Sequence, residues 1–157
     1  MRRNSSWRRA AKILALGLFS SQLCAAQQKV PDTEKLLFDA ANHERTERKL
    51  PPLRWDEGLA RAARKHAEMM AEQDLLEHQL QGEHALATRA SEAGASFSHI
   101  TENIGMAVDA YKFHDGWMQS PGHRANILAG GYSETGVVLA PDGRGQLIFV
   151  QTFGAPQ

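Results

Sequence analysis

Seven histidines, His43, His66, His78, His84, His99, His114 and His123, are the first candidates for chemistry in this chain. Imidazole titrates near neutral pH and ligates metals when neutral. His66 falls on an apolar stripe at helical spacing, so it reads as a packed, hydrogen-bonded side chain. Nothing around His43, His84, His99 or His114 separates them from surface residues. His43-Glu44 lacks the second histidine of a zinc protease helix. There is no Gly-x-Ser-x-Gly elbow, phosphate loop or catalytic cysteine. Short motifs therefore exclude the commonest hydrolase and nucleotide-binding chemistries.

The elements that must position these side chains read as helices first and a hairpin last. Asp32 or Thr33 caps a first helix with Lys35 onward inside it, and Leu36, Leu37, Ala40 and Ala41 form its apolar stripe. Glu44 to Lys49 reads as the solvated end of that helix. Leu50-Pro51-Pro52-Leu53 interrupts it, because proline restricts itself and its predecessor. Asp56 is an N-cap for a second helix ending near Asp74, with Leu59, Ala62, Ala63, His66, Met69 and Met70 on its apolar face. A third helix is expected over Glu83 to Ala93, stopped by Gly94, and a fourth over Val108 to Gln119. Ser120-Pro121 opens a short fifth helix, with serine as cap and proline at its first position. Thr135 to Ala140 and Gln146 to Phe153 read as strands around a Pro141–Gly145 turn, with a short strand near Ile100 to Ile104. This pattern is α+β: helices packed on a small antiparallel sheet.

The chain has 157 residues, the size of one domain. Residues 1–26 stand apart. Arg2, Arg3, Arg8, Arg9 and Lys12 precede the apolar run Ile13–Phe19, and small residues end at Cys24-Ala25-Ala26. These are the three regions of a secretory signal. The apolar run is well short of the ~20 residues a bilayer crossing needs. Leu23 is too large for the position before a lipid-modified cysteine, and cleavage after Ala26 would discard Cys24. Residues 27–33 then form a linker and 34–157 the domain. The full chain carries 18 basic and 18 acidic residues. Five of the basic ones lie in the first 26, so the processed chain has a formal net charge of −5. That excludes nucleic acid as a partner held by bulk charge. A domain without cysteine also folds without disulfides.

Larger motifs run in order through the remainder: Asn42-x-x-Arg45; Leu50-Pro51-Pro52-Leu53-Arg54-Trp55; Leu59-x-x-Ala62-x-x-x-His66-Ala67; Leu76-Glu77-His78 with Gly82 and Arg89; Glu102-Asn103-Ile104; Trp117-x-x-Ser120-Pro121-Gly122-His123-Arg124-x-Asn126-Ile127-Leu128; Tyr132 and Gly136; Val150-Gln151-x-Phe153-Gly154. Together they resemble the CAP superfamily of cysteine-rich secretory, antigen 5 and pathogenesis-related proteins, in its bacterial SCP form. The resemblance implies a three-layer α-β-α sandwich with a central cleft. It also implies a cleft cluster of His78, Glu102 and His123, with Ser120 where many relatives carry a second glutamate.

Two imidazoles and one carboxylate are the donor types of a divalent metal such as zinc. Without metal, Glu102 and His123 could serve as an acid–base pair. Trp55 and Trp117 read as anchors, Asn126 as a structural hydrogen-bonding residue, and Arg124 as a local salt-bridge partner. Three functions follow as expectations. The first is a secreted or periplasmic binding module for a small, lipid-like ligand or an envelope component. The second is a metal-dependent or acid–base hydrolase of envelope or extracellular polymers. The third is a structural or protein-interaction module. None needs a membrane span after signal cleavage.

Overall fold

The computed structural model of the protein describes residues 29–155 and Gln157. The expected signal, residues 1–26, lies outside the described residues. Helix α1 spans Lys29–Glu47, β1 Arg54–Trp55, α2 Glu57–Gln73, α3 Leu86–Glu92 and β2 His99–Ala107. Then come α4 (Ala110–Gln119), α5 (Pro121–Leu128), β3 (Glu134–Pro141) and β4 (Leu147–Ala155). The first helix thus starts at Lys29, inside the stretch read as a linker and ahead of the expected Asp32 or Thr33 cap. Pro31 falls in its first turn, where a missing N–H costs nothing.

The strands form one sheet in the order β1-β3-β4-β2. The three long strands are antiparallel, as expected, and the two-residue β1 joins β3 in parallel. Alternation along the strands builds both halves of the core. Val137, Leu139, Phe149 and Phe153 pack with Leu37 and Ala41 of α1, Phe113 and Trp117 of α4 and Ile127 of α5. Val138, Ala140, Ile148 and Val150 face the other way, onto Ala60, Ala63, Ala67 and Met70 of α2. Both faces of β3 and β4 are covered, which is why their sequences read as continuous apolar runs. The layers are α1, α4 and α5; the sheet; then α2 and α3, the expected α-β-α sandwich. Gly136 lets α2 approach β3, since a Cβ there would lie 2.2 Å from the Ala60 backbone nitrogen.

Several local expectations hold. Asp56 caps α2 by accepting from the Leu59 N–H at 2.7 Å, and Asp74 closes it in the left-handed conformation. Others are corrected. The third helix begins three residues late, because the Glu83 side chain turns to His66 and its carbonyl accepts from Gln79. The fourth begins at Ala110, because β2 runs to Ala107 in full pairing with β4. Ser120 sits at the cap position of α5, yet its hydroxyl makes no capping bond. The segment read as the solvated end of α1 contains Arg45, which is 0% exposed. Its guanidinium donates to the carbonyls of Pro51, Ile127 and Ala129 at 2.9 Å and of Tyr132 at 3.0 Å. Arg124 is exposed and makes no ion pair among the described residues.

Candidate functional site

Glu102 lies on β2 with its side chain on the α2 face and only 3% exposed. One oxygen, Oε1, accepts from Nδ1 of His78 at 3.0 Å. The other, Oε2, accepts from Nη2 of Arg89 at 2.5 Å. Arg89 comes from α3 and is itself buried. Its Nη1 donates to the His78 carbonyl at 3.3 Å and stands 3.6 Å from Oε2 of Glu83. Glu83 in turn accepts from Nδ1 of His66 at 2.9 Å, and Nε2 of His66 lies 3.8 Å from Glu102. A five-member polar network thus runs through the α2–α3–β2 layer, from buried His66 to His78, whose side chain is 61% exposed. Buried carboxylates survive only when paired, and Arg89 supplies the pairing charge.

His123 reaches the site from the other helical layer. Asn103, the strand neighbour of Glu102, points to that layer, and its Nδ2 donates to the His123 carbonyl at 3.1 Å. Asn126 donates to Oδ1 of Asn103 at 2.8 Å, as its structural reading anticipated. The His123 ring tilts against Trp117, with centroids 6.0 Å apart. Burial holds the His123 imidazole below the usual histidine range, and the charge of His78 adds to the effect. Of the sequence-derived trio, His78 and Glu102 are hydrogen-bonded, and His123, within electrostatic reach of His78, lines the edge of a groove.

The divalent-metal expectation can be tested on the donors. Both oxygens of Glu102 are engaged, one by a guanidinium that a cation would have to displace. Among the described residues, no group of three or more His, Cys, Asp or Glu is arranged to hold an ion.

The open groove is lined by His123, Ser120, Trp117, Gly116, Met106 and Val108, among others, and has a volume of about 660 Å³. Its floor is β2 beyond Ile104 and its wall is α4. Sequence reasoning named Trp117, Ser120 and His123 but missed Met106, Val108 and Gly116. It also missed the roles of Arg89 and Glu83. A helical stripe or an alternating strand would not reveal these, because each depends on a neighbour from another element.

Histidine burial has a measurable consequence. Burial pushes His66 and His114 down, and for His66 the Arg89 charge adds to it against the opposing pull of Glu102 and Glu83. His114, read from sequence as a surface residue, is buried with neither ring nitrogen partnered. A histidine whose folded pKa is depressed stays neutral in the fold, while the unfolded chain protonates near 6.5. Stability is then complete above about pH 6.5 and is lost as pH falls toward the lower folded values. Urea midpoints should drop between about pH 7.5 and about pH 5.5. His114→Leu should flatten that slope. An equally steep slope in the variant would reject His114 as its source.

The family model CAP, the Cysteine-rich secretory protein family, matches residues 38–153. Uncharacterized membrane protein YlbC of Bacillus subtilis (strain 168) is 33% identical over 106 residues, 67% of this chain and 31% of that protein. Uncharacterized protein YkwD of the same organism is 28% identical over 135 residues, 85% of this chain and 52% of its own length. The chain thus spans about a third to a half of these relatives. An extracellular protein containing a SCP domain from Bacillus anthracis superposes with a TM-score of 0.77 at 26% identity, over 87% of this chain and 45% of that one. An outer surface protein from Borrelia burgdorferi gives 0.75 at 21% identity, over 80% of this chain and 94% of that one.

Proposed function

Because the chain belongs to the cysteine-rich secretory protein (CAP) family, we propose that it is an exported binding module whose groove between β2 and α4 takes a small apolar or amphipathic ligand. The groove itself carries this reading. Met106, Val108, Phe113 and Trp117 give it apolar walls, and His123 and Ser120 give it a polar edge. This is the usual make-up of a small-molecule site, with apolar lining and few polar groups to orient the guest. The family resemblances to an extracellular protein and an outer surface protein support an extracytoplasmic location. Among the described residues, no helix is long and apolar enough to cross a membrane. A hydrolytic role would ask Glu102 to meet substrate, whereas its carboxylate is buried and neutralised by Arg89.

Gly116 provides the test. It lines the groove, and a Cβ added there meets nothing within 4 Å. Gly116→Leu should therefore fill the groove without disturbing the core. Dansyl-undecanoic acid titrated into the purified protein should show saturable fluorescence enhancement, with roughly tenfold weaker binding in Gly116→Leu, the scale of a filled apolar subsite. Equal binding by both proteins, or none by the unaltered one, would remove the groove as the ligand site.

A further inference from the structure

Consecutive residues of β2 and its end, from Ile104 to Val108, all line the groove. Side chains along a strand alternate between faces, so a groove lying on one face would meet every second residue. An unbroken run is met only from the edge of the strand, where the backbone is presented. β2 is outermost in the order β1-β3-β4-β2, and among the described residues no strand lies beyond it.

The pairing fixes which backbone groups face outward. The Asp142 N–H donates to the Gln146 carbonyl at 3.0 Å, one step beyond the Pro141–Leu147 pair. Bonded and non-bonded pairs alternate along an antiparallel ladder. Ile148 and Val150 therefore bond to β3, while Leu147 and Phe149 turn to β2. Their register partners Ala107 and Gly105 bond back to them. Ile104 and Met106 then direct their N–H and C=O groups to the open edge. The same parity holds across the sheet, where the Thr135 carbonyl faces away from β4 and accepts from the Asp56 N–H at 2.9 Å. On that far edge Glu34 accepts from the Leu139 N–H. A second unmet donor stands in the groove itself. Trp117 is 3% exposed, lines the groove, and its Nε1–H has no partner among the described residues. It lies over Gly105, where an added Cβ would be 3.5 Å from Nε1.

Given the groove as the ligand site proposed above, we infer that its ligand is an extended segment of a partner polypeptide, added as a strand beside Ile104 and Met106. An acyl chain would fill the apolar walls but leave the strand edge and the indole N–H unmet, and unmet buried groups cost binding energy. A peptide main chain brings donors and acceptors at strand spacing, and its alternate side chains reach the apolar wall of Phe113 and Trp117.

Met106→Pro is the direct test. Proline removes the outward N–H without touching the ladder to β4, and an edge strand tolerates it at such a position. Met106→Ala removes the side chain and keeps the N–H. Fluorescein-labelled Thr-Val-Thr-Val-Thr amide should bind the unaltered protein and Met106→Ala saturably, by anisotropy. Binding to Met106→Pro should be roughly tenfold weaker, the scale of one lost main-chain hydrogen bond. Equal urea midpoints for the two variants would show that the loss is not unfolding. In the unaltered protein, the peptide should slow hydrogen exchange of the Met106 amide, while Gly105 and Ala107, already bonded to β4, change little. An analogue with every peptide amide N-methylated should not compete. Dansyl-undecanoic acid needs no main-chain partner and should bind both variants, so its binding without that of the peptide would sink the strand-addition inference and leave the groove reading standing. Three further results would overturn the inference: undiminished peptide binding by Met106→Pro, competition by the N-methylated analogue, or a concentration-dependent dimer by light scattering that Met106→Pro abolishes, which would give the edge to β2 of a second copy.

Discussion

Arg45→Ala should unfold the domain at markedly lower denaturant, with a loss of about 4 kcal/mol in equilibrium urea unfolding. The guanidinium is buried without a carboxylate and donates to four backbone carbonyls, from Pro51, Ile127, Ala129 and Tyr132. These carbonyls belong to the proline segment after α1, to the last turn of α5 and to the α5–β3 connection, where no regular hydrogen-bond ladder continues. Alanine would leave all four acceptors in a cavity. Each unsatisfied buried group costs roughly 1–3 kcal/mol, and only water entering the cavity offsets part of that. Burial also pushes the Arg45 pKa down, yet arginine remains charged at any ordinary pH. Arg45→Lys should rescue little, since one ammonium cannot span a fork of four carbonyls. A loss below about 1 kcal/mol for the alanine variant would show that these carbonyls find water without cost.

Arg89→Met should cost about 3–5 kcal/mol, the usual penalty for removing one partner of a buried ion pair. The methionine keeps much of the volume, so the loss comes from Glu102 and Glu83, left without their cation. Glu102→Gln placed on top of Arg89→Met should recover at least about 1 kcal/mol, because an amide is far cheaper to bury than an unpaired carboxylate. The same change alone, with Arg89 intact, should destabilise. That reversal of sign is the mark of pairing, and a double-mutant cycle reads it directly. Additive effects would mean that Arg89 acts on Glu102 through packing only. His78→Ala should matter much less, since His78 is largely exposed and its bond to Glu102 competes with water.

These two arginines show how legible the chain was. Both stand in motifs that mark the family, Asn42-x-x-Arg45 and the stretch around His78. Nothing local says that Arg45 leaves a polar helix end to enter the core, or that Arg89 reaches Glu102. Asn42 is similar: its amide both donates to the Leu53 carbonyl at 3.0 Å and accepts from the Leu53 N–H at 2.7 Å. That clamp ties α1 to the proline segment eleven residues on, and side-chain type alone did not reveal it. Histidines were read unevenly for the same reason. The apolar stripe of α2 placed His66 inside, but α4 gave no equally clear face to His114.

By itself, the sequence determined what repeats at short range. The 3.6-residue stripe set α2, alternating strand faces and a glycine-rich turn set the β3–β4 hairpin, and Asp56 set a helix start, because each depends on residues a few positions apart. Ordered motifs added the family and, with it, the α-β-α layers and the expected cluster of His78, Glu102 and His123. Only the tertiary structure decided who neutralises Glu102, where His123 stands relative to it, and that an apolar groove opens beside β2. Arg89 meets Glu102 across 13 residues, and Asn103 meets His123 across 20. Their meeting is fixed by how the helical layers close on the sheet, a packing result that no short window of residues contains.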